Sequence, residues 1–295
     1  MVDHQRNPHF TGRDDLLARL REELLDAKTK RFNHRIAIYG LGGVGKTQIA
    51  IEYAYRYGKE YNSIFWISAV DQAALLSGFE KIAKRTICSI TLNQKPETIA
   101  KAVLAWLRQE KGWLLVMDNL DDISVAEGYL PGMGTNGHTL ITTRNPDCLQ
   151  FQAEGIEIPV LQKYEAINLF YLRSDIQNIE TSSADYFYIS NIVDELGCHA
   201  LAIEQATAFI RCSRMDVSKF LSIYKASRTD LLKRISPGIG QYKMSVYATV
   251  QLSFGKVEKM KYGERAMKLL HLLAFLNPDG ILMEFLEEGG EGLGD

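Results

Sequence analysis

At residues 40–47 the chain carries the sequence Gly40-Leu41-Gly42-Gly43-Val44-Gly45-Lys46-Thr47. The apolar run Ile36-Ala37-Ile38-Tyr39 precedes it and a helical pattern follows it. A strand that leads through Gly-x-x-x-x-Gly-Lys-Thr into a helix is typical of a loop that binds a polyphosphate. The alternative interpretation is a glycine-rich turn without a ligand. The pattern therefore predicts an α/β domain with a phosphate site at its first strand.

The residue types of this loop suit phosphate. Glycines let the main chain turn tightly, so that backbone N–H groups approach the phosphate oxygens. A helix that starts near Thr47 adds the positive end of its dipole. We expect Lys46 to contact the β- and γ-phosphates and the Thr47 hydroxyl to ligate Mg²⁺, which takes few protein ligands. The predicted phosphate-binding residues are Gly40, Gly42, Gly43, Val44, Gly45, Lys46, Thr47 and Gln48.

Composition limits the classes of function. The net charge of −2 gives no general attraction to nucleic acid or to an anionic membrane, so neither is expected as a partner. The cysteines are widely separated and form no Cys-x-x-Cys pair, which favours reduced thiols over a zinc site or disulfides (Cys88, Cys148, Cys198 and Cys212). The N-terminus has no apolar leader, and no apolar run reaches the length of a membrane span. The sequence therefore predicts a cytoplasmic protein.

The order of strand and helix patterns predicts the domain organisation. Up to residue 161, β-rich runs at 36–39, 63–68, 113–117, 139–143 and 156–160 alternate with helical patterns, which indicates a mainly parallel sheet flanked by helices. A first helix is expected to begin in a capping box of Thr11 and Asp14. Beyond residue 161 only helical patterns follow, with a linker signal at 236–240 and an acidic, glycine-rich end at 287–295. The predicted parts are a lead-in (1–9), an α/β domain (10–161), a helical domain (162–237) and a further segment (238–295).

Polar residues follow the third and fourth predicted strands, at the ends where ligands of parallel sheets bind. Asp118 ends the third strand, where a carboxylate can hold Mg²⁺ opposite the loop; the alternative is an ordinary turn residue. Asn119 can orient a water molecule but cannot accept its proton, so slow hydrolysis is expected. Asp121 and Asp122 are close enough in sequence to be candidates for that acceptor, but the favoured interpretation is that they are solvated turn residues. Arg144, after the fourth strand, can form forked hydrogen bonds to a terminal phosphate, or is a surface arginine.

In this order the motifs resemble those of the NB-ARC proteins. These are STAND-class signal-transduction ATPases found in apoptosis activators, plant resistance proteins and NOD-like receptors, and the similarity is greatest to filamentous-fungal members. The resemblance covers residues 10 to 288. Besides the loop, it rests on Phe10–Leu17, Phe65–Ile67, Trp113–Asn119, Thr142–Arg144, Leu196-Gly197 with Leu201-Ala202, and Leu252–Phe254 with Leu273–Leu276.

The resemblance implies a P-loop NTPase domain, a small helical domain and the start of a winged-helix domain. In the family these domains close over ADP, and exchange for ATP opens them for assembly with protein partners or further copies. ADP, ATP and Mg²⁺ are thus the implied ligands. Transferred by position, Phe10, Thr11 and Arg13 lie on the adenine side, Asp118 at Mg²⁺, and Arg144 at the terminal phosphate.

The chain also departs from the family pattern. Ala200 stands where the family has a proline that packs on the adenine, and the preceding His199 is interpreted as a surface or packing residue. The chain ends before the family's Met-His-Asp motif, which predicts a core truncated within the winged-helix region. No effector domain before residue 10 and no sensor repeat after residue 288 is expected.

The leading hypothesis is a nucleotide-gated switch in innate immune signalling that controls assembly of a complex and hydrolyses ATP slowly. An AAA-type turnover NTPase is an alternative, but it needs a base near Asp118 and an arginine from a neighbouring subunit. A small-molecule kinase is a further alternative. It needs an arginine-rich lid and an acceptor site, and the downstream half shows apolar helical patterns without such a cluster. A non-hydrolysing scaffold is the remaining alternative, against which the complete phosphate loop argues.

Overall fold

The structure is a computed structural model that describes residues 4–25, 35–87, 94–132, 136–174, 176, 184–234 and 241–275. The chain divides into two units, residues 1–204 and 205–295. The predicted linker at 236–240, the acidic end at 287–295 and Cys88 lie outside the described residues. The predicted domain limits at residues 161 and 237 stay predictions.

The first unit contains a five-stranded sheet in the order β2-β3-β4-β1-β5, in which every neighbouring pair is parallel. The predicted parallel sheet is therefore confirmed. Its strands are β1 (Arg35–Tyr39), β2 (Ser63–Ser68), β3 (Lys111–Asp118), β4 (Asn136–Thr143) and β5 (Glu154–Glu157).

The predicted position of the fifth strand was wrong by two to three residues. β5 pairs residues 154–157 with β1, and the last ladder contact beyond it runs from the Ile158 N–H to the Tyr39 carbonyl at 2.7 Å. Pro159 follows, and because proline has no N–H it cannot extend the ladder.

Helices cover both faces of the sheet. On one face, α1 and α2 bury Leu20 and Tyr53 against Val116 of β3. On the other, α3 and α4 bury Phe79 and Val103 against Leu115. Neighbouring residues of β3 thus enter different apolar clusters, which is why the strand is one continuous apolar run. The helices that begin in this unit are α1 (Asp14–Leu25), α2 (Lys46–Arg56), α3 (Gln72–Thr86), α4 (Pro96–Gln109), α5 (Lys163–Ser174), α6 (Ala184–Glu195) and α7 (Ala200–Ser213).

The predicted capping box of Thr11 and Asp14 was wrong, because α1 begins only at Asp14. The preceding residue, Arg13, has a left-handed backbone (φ 67°), and its N–H donates to Oε1 of Glu165 at 2.8 Å. A buried carboxylate from α5 therefore accepts from the N–H that directly precedes the helix, in place of a local side-chain cap.

The second unit contains helices α8 (Val217–Arg234), α9 (Gln241–Glu258) and α10 (Gly263–Leu273) in addition to the end of α7. Phe220 is fully buried and stacks on Tyr224 at 5.9 Å between ring centroids. The ammonium group of Lys256 donates to the Cys212 carbonyl at 2.7 Å, which ties α9 to α7. Among the described residues, no helix combines the length and the apolar character needed to cross a bilayer.

Candidate functional site

A cavity of about 650 Å³ lies at the carboxyl edge of the sheet in the first unit. Because β4 pairs with both β1 and β3, the ends of these three strands are neighbours. The lining combines loop residues 42–49 and residues that follow β3 and β4 with residues from the N-terminal segment (residues 5–13), α5 and the start of α7. Its members beyond the loop are Gln5, Asn7, His9, Phe10, Thr11, Arg13, Asn119, Thr142, Arg144, Leu161, Leu169, Arg173, Ala200, Leu201 and Glu204.

Most of the predicted site residues line this one cavity. Gly40 and Asp118 do not, although both contact residues that do. The residues that sequence reasoning missed include Leu161, Leu169 and Leu201. Nothing in the local pattern of Leu161 and Leu169 distinguishes them from core residues, and Leu201 contributed to the family resemblance without being assigned to the site.

Glycines shape the phosphate loop at three positions with positive φ, the first of which is Gly40 (φ 152°). Gly45 has φ 100° and directly precedes α2, and Gly43 has φ 79°. A Cβ atom at Gly43 would also lie 2.8 Å from Cβ of Leu201 and 2.9 Å from Cε1 of His199. Residue 43 therefore requires glycine for both its conformation and its surroundings.

Lys46 is the first residue of α2, and its side chain folds back along the loop. The ammonium group donates to the carbonyls of Gly40 and Leu41, both at 2.9 Å. Burial lowers the pKa of Lys46, which the carboxylate of Asp121 partly opposes. Phosphate oxygens bind a cation more strongly than neutral carbonyls do. The site therefore holds a positive charge that an anion stabilises.

Asp118 collects hydroxyl groups from two other elements. Its Oδ1 accepts hydrogen bonds from Oγ1 of Thr47 at 2.9 Å and from Oγ1 of Thr142 at 2.5 Å. The Thr142 hydroxyl in turn accepts from the backbone N–H of Asn119 at 2.8 Å. This hydrogen-bond chain fixes the carboxylate beside the first turn of α2.

These groups fit Mg²⁺, whose preferred ligands are oxygens. Within the described ranges, no three His, Cys, Asp or Glu side chains form a group that could hold a metal by themselves. Mg²⁺ keeps several waters and commonly takes only one or two protein oxygens beside those of a phosphate. The hydroxyl of Thr47 and the carboxylate of Asp118 are donors of this kind.

Arg144 is held by Asp121, which was interpreted from the sequence as a solvated turn residue. Asp121 accepts from the Arg144 backbone N–H at 2.7 Å, and its other oxygen lies 3.3 Å from Nε of the same arginine. Asp121 lies in the turn after β3, where Asn119 has a left-handed backbone (φ 63°). The interpretation was thus incomplete for Asp121, which orients a guanidinium that is 63% exposed at the cavity.

Two buried carboxylates anchor the N-terminal segment. Glu52 of α2 is 2% exposed and accepts from Arg6 at 2.8 and 3.0 Å and from Arg56 at 2.5 Å. At the other end, Glu165 is 4% exposed and accepts from the backbone N–H groups of Arg13 and Gln162, both at 2.8 Å. The segment that lines the cavity is therefore fixed by contacts distant in sequence.

Arg13 is itself buried by this arrangement. Its guanidinium donates to the carbonyl of Pro159 at 2.6 Å, after β5. Burial lowers the pKa of Arg13, and the charge of Glu165 opposes this. The arginine thus stabilises the cavity wall and reaches the end of the sheet.

His199 is fully buried, so it is a packing residue and not a surface residue. Its Nε2 lies 2.9 Å from the Gly42 carbonyl. Because a carbonyl only accepts, Nε2 carries the hydrogen. Two residues later the Leu201 N–H donates to the Gly43 carbonyl at 3.1 Å. Ala200, between them, lines the cavity.

Comparison with known proteins places these features in a family. The model of the NB-ARC domain matches residues 13–177. A nucleotide-binding leucine-rich repeat (NLR)-like protein of Hyaloscypha variabilis is 29% identical over 95% of this chain and 31% of its own length. The disease resistance protein RUN1 of Vitis rotundifolia is 24% identical over 74% of this chain and 18% of its own length. The chain thus spans about a third or less of these curated relatives.

Among solved structures, that of Cdc6p from Pyrobaculum aerophilum is similar, with a TM-score of 0.52 and 14% identity over 86% of this chain and 83% of that chain. This likeness shows the fold alone, an α/β fold of the P-loop NTPase type. A phosphate-binding loop in this fold implies that the chain binds a nucleotide. Because the family match covers more than half of the chain and includes the loop and the ends of β3 and β4, the chain belongs to the NB-ARC family.

Proposed function

We propose that this chain is an ADP- and ATP-binding molecular switch that controls assembly of a signalling complex and hydrolyses ATP slowly. The observation that supports this best is the placement of four groups at one sheet edge: the phosphate loop, Lys46, the Thr47–Asp118 pair and Arg144. A polyphosphate needs these groups together, whereas an apolar ligand needs none of them.

Each residue has a defined role in the proposed switch. The loop N–H groups and Lys46 bind the phosphates, and Thr47 and Asp118 hold Mg²⁺, which neutralises phosphate charge when bound. Asn119 orients the attacking water without accepting its proton, which makes hydrolysis slow. The base side is formed by Phe10, Thr11, Arg13 and Ala200.

Switching requires ADP and ATP to bind two states with different affinities, since equal affinity shifts nothing. Arg144 supplies such a difference, because its guanidinium can pair with a terminal phosphate that only ATP has. Asp121 already orients the backbone and Nε of this arginine. Binding of ATP therefore changes the charge balance at the turn that follows β3.

The proposed switch also acts beyond the nucleotide site. A helical domain at 162–237 and a winged-helix segment from 238 convert nucleotide state into assembly with protein partners or further copies in the ATP state. The names of the relatives, which include a disease resistance protein, support a role in innate immunity. A cytoplasmic location suits such a role.

The test is to denature the purified chain and to identify the released nucleotide by anion-exchange chromatography, together with steady-state turnover. Stoichiometric ADP and slow turnover support the switch. Many turnovers per minute contradict it in favour of an AAA-type NTPase, and consumption of ATP only with an acceptor favours a kinase. If no nucleotide is released and calorimetry detects no binding of ADP or ATP, the chain is a scaffold and the proposal fails.

A further inference from the structure

The start of α7 provides hydrogen-bond donors to two successive carbonyls of the phosphate loop. Nε2 of His199 donates to the Gly42 carbonyl at 2.9 Å, and the N–H of Leu201 donates to the Gly43 carbonyl at 3.1 Å. The contact is close, since a Cβ at Gly43 would overlap both residues. Residues more than 150 positions away along the chain thus fix the loop from outside.

Because the peptide unit is planar, hydrogen bonds to these two carbonyls also fix the N–H groups on the opposite side of each unit. In a trans peptide the N–H group points away from the carbonyl of the same unit. Holding the Gly42 carbonyl therefore fixes the direction of the Gly43 N–H, and holding the Gly43 carbonyl fixes that of the Val44 N–H. Gly43 and Val44 both line the cavity. Their N–H groups are the kind of donor that binds phosphate oxygens in such loops.

Glycine makes this support necessary. Gly43 can adopt more backbone conformations than any other residue type, so a loop of glycines has several orientations available to each peptide. The N–H groups converge on an anion in only one of these orientations. A donor that holds the carbonyls in advance removes part of the ordering cost from the binding step.

We infer that His199 is a positioning residue for phosphate binding, which orients the Gly43 and Val44 N–H groups by holding the Gly42 carbonyl. This inference rests on the proposed nucleotide binding and adds a residue to it that does not touch the nucleotide. His199 is fully buried against the loop, and its ring nitrogen is the side-chain donor to this carbonyl. The Leu201 contribution is a backbone bond, so His199 is the position at which mutation can test the idea.

The test compares three replacements of His199. Glutamine places an amide N–H near the position of Nε2 and can donate to Gly42, asparagine is one methylene shorter and cannot reach, and leucine has no donor. The matched control is His138→Leu, because His138 lies on β4 and contacts the Tyr61 hydroxyl at 2.9 Å. ADP and ATP affinities are measured by calorimetry after enzymatic removal of bound nucleotide, and adenosine affinity by competition.

We expect His199→Leu and His199→Asn to weaken ADP and ATP binding about 3- to 10-fold, the range of one lost hydrogen bond. His199→Gln should stay within about twofold of the parent chain, and adenosine, which has no phosphate, should bind all variants alike. Equal losses for glutamine and asparagine, or an equal loss for adenosine, overturn the inference, because either indicates general damage to the fold.

Two further outcomes separate this inference from the proposed function. If the parent chain binds ADP and all His199 variants bind it equally well, the positioning role is refuted and nucleotide binding stands. If the parent chain binds no nucleotide, both fail. Should His199→Leu not fold, the comparison of glutamine with asparagine decides, since both are polar amides and differ only in reach.

Discussion

The hydroxyl of Thr47 donates a hydrogen bond of 2.9 Å to the carboxylate of Asp118, although the two residues are 71 positions apart. Strand order explains the contact. The helix that carries Thr47 follows β1, Asp118 ends β3, and β4 lies between these strands and adds the hydroxyl of Thr142 to the same carboxylate oxygen. The two proposed Mg²⁺ ligands are therefore brought together by the topology of the sheet.

Asp118→Asn should weaken ATP binding about 10- to 150-fold in the presence of Mg²⁺, because it removes a charged ligand. Without Mg²⁺ the affinity should hold or rise, since a negative charge near the phosphates is lost. Calorimetry with Mg²⁺ and with a chelator measures both. Asp122→Asn is the control, an exposed carboxylate that accepts from the Ser124 N–H and should show no effect. An equal loss with the chelator contradicts the metal role.

Lys46→Ala should reduce ADP and ATP affinity about 10- to 150-fold, because a charge-assisted phosphate contact is lost. The fold should be unchanged, since the ammonium group contacts only two loop carbonyls among the hydrogen bonds described. Lys101→Ala, on the exposed side of α4, is the matched control. An unchanged affinity in Lys46→Ala removes the phosphate-loop assignment.

The residues that meet at the carboxyl edge of the sheet could be predicted from local sequence patterns. The loop, Asp118 and Arg144 each follow an apolar strand, and parallel strands end on one side, so their convergence follows from sequence order and sheet geometry. The start of α3 is also set locally, because Asp71 accepts from the Ala74 N–H at 2.7 Å.

Long-range contacts explain what sequence reasoning missed. Thr11 and Asp14 have the spacing of a capping box, but Glu165, 152 positions from Arg13, takes the N–H before the helix. His199 similarly finds its partner in Gly42. Neither pairing leaves a local signal, because a buried glutamate and a surface glutamate read alike in a helical pattern.

Asn119→Asp should raise the rate of ATP hydrolysis, because it supplies the proton acceptor that asparagine lacks. General base catalysis contributes roughly 10²–10⁴-fold where geometry is good, so even an imperfectly placed carboxylate should give a measurable increase. Aspartate also tolerates the left-handed backbone at this position. Single-turnover phosphate release measures the rate, with Asn145→Asp, beyond β4, as the control. No change would indicate that closure, and not chemistry, limits turnover.

Glu165→Ala should lower the free energy of unfolding by about 2–4 kcal/mol, because it leaves the N–H groups of Arg13 and Gln162 without their acceptor. It should also loosen the N-terminal segment and so speed release of bound nucleotide. Urea unfolding and nucleotide exchange measure the two effects. Glu22→Ala, at an exposed position of α1, is the control. A stability loss no larger than that of the control contradicts the anchoring role.

His199 should make stability depend on pH. Burial lowers its pKa in the folded protein, and the charge of Lys46 adds to this while the Gly42 carbonyl opposes it. As the pH falls below about 6.5, the unfolded chain therefore takes up a proton before the folded protein does, which favours unfolding. The contribution is complete above that pH and is lost as the pH falls through the folded pKa.

The measurement is the free energy of unfolding by urea between about pH 5 and 7.5, for the parent chain and His199→Gln. The parent curve should fall more steeply below pH 6.5, with an added slope of at most ~1.4 kcal/mol per pH unit for one proton. The glutamine variant cannot titrate, so its curve lacks this slope. Other groups titrate alike in both chains and cancel in the difference. Parallel curves would mean that His199 binds its proton equally in both states, and would contradict the lowered pKa in the folded protein.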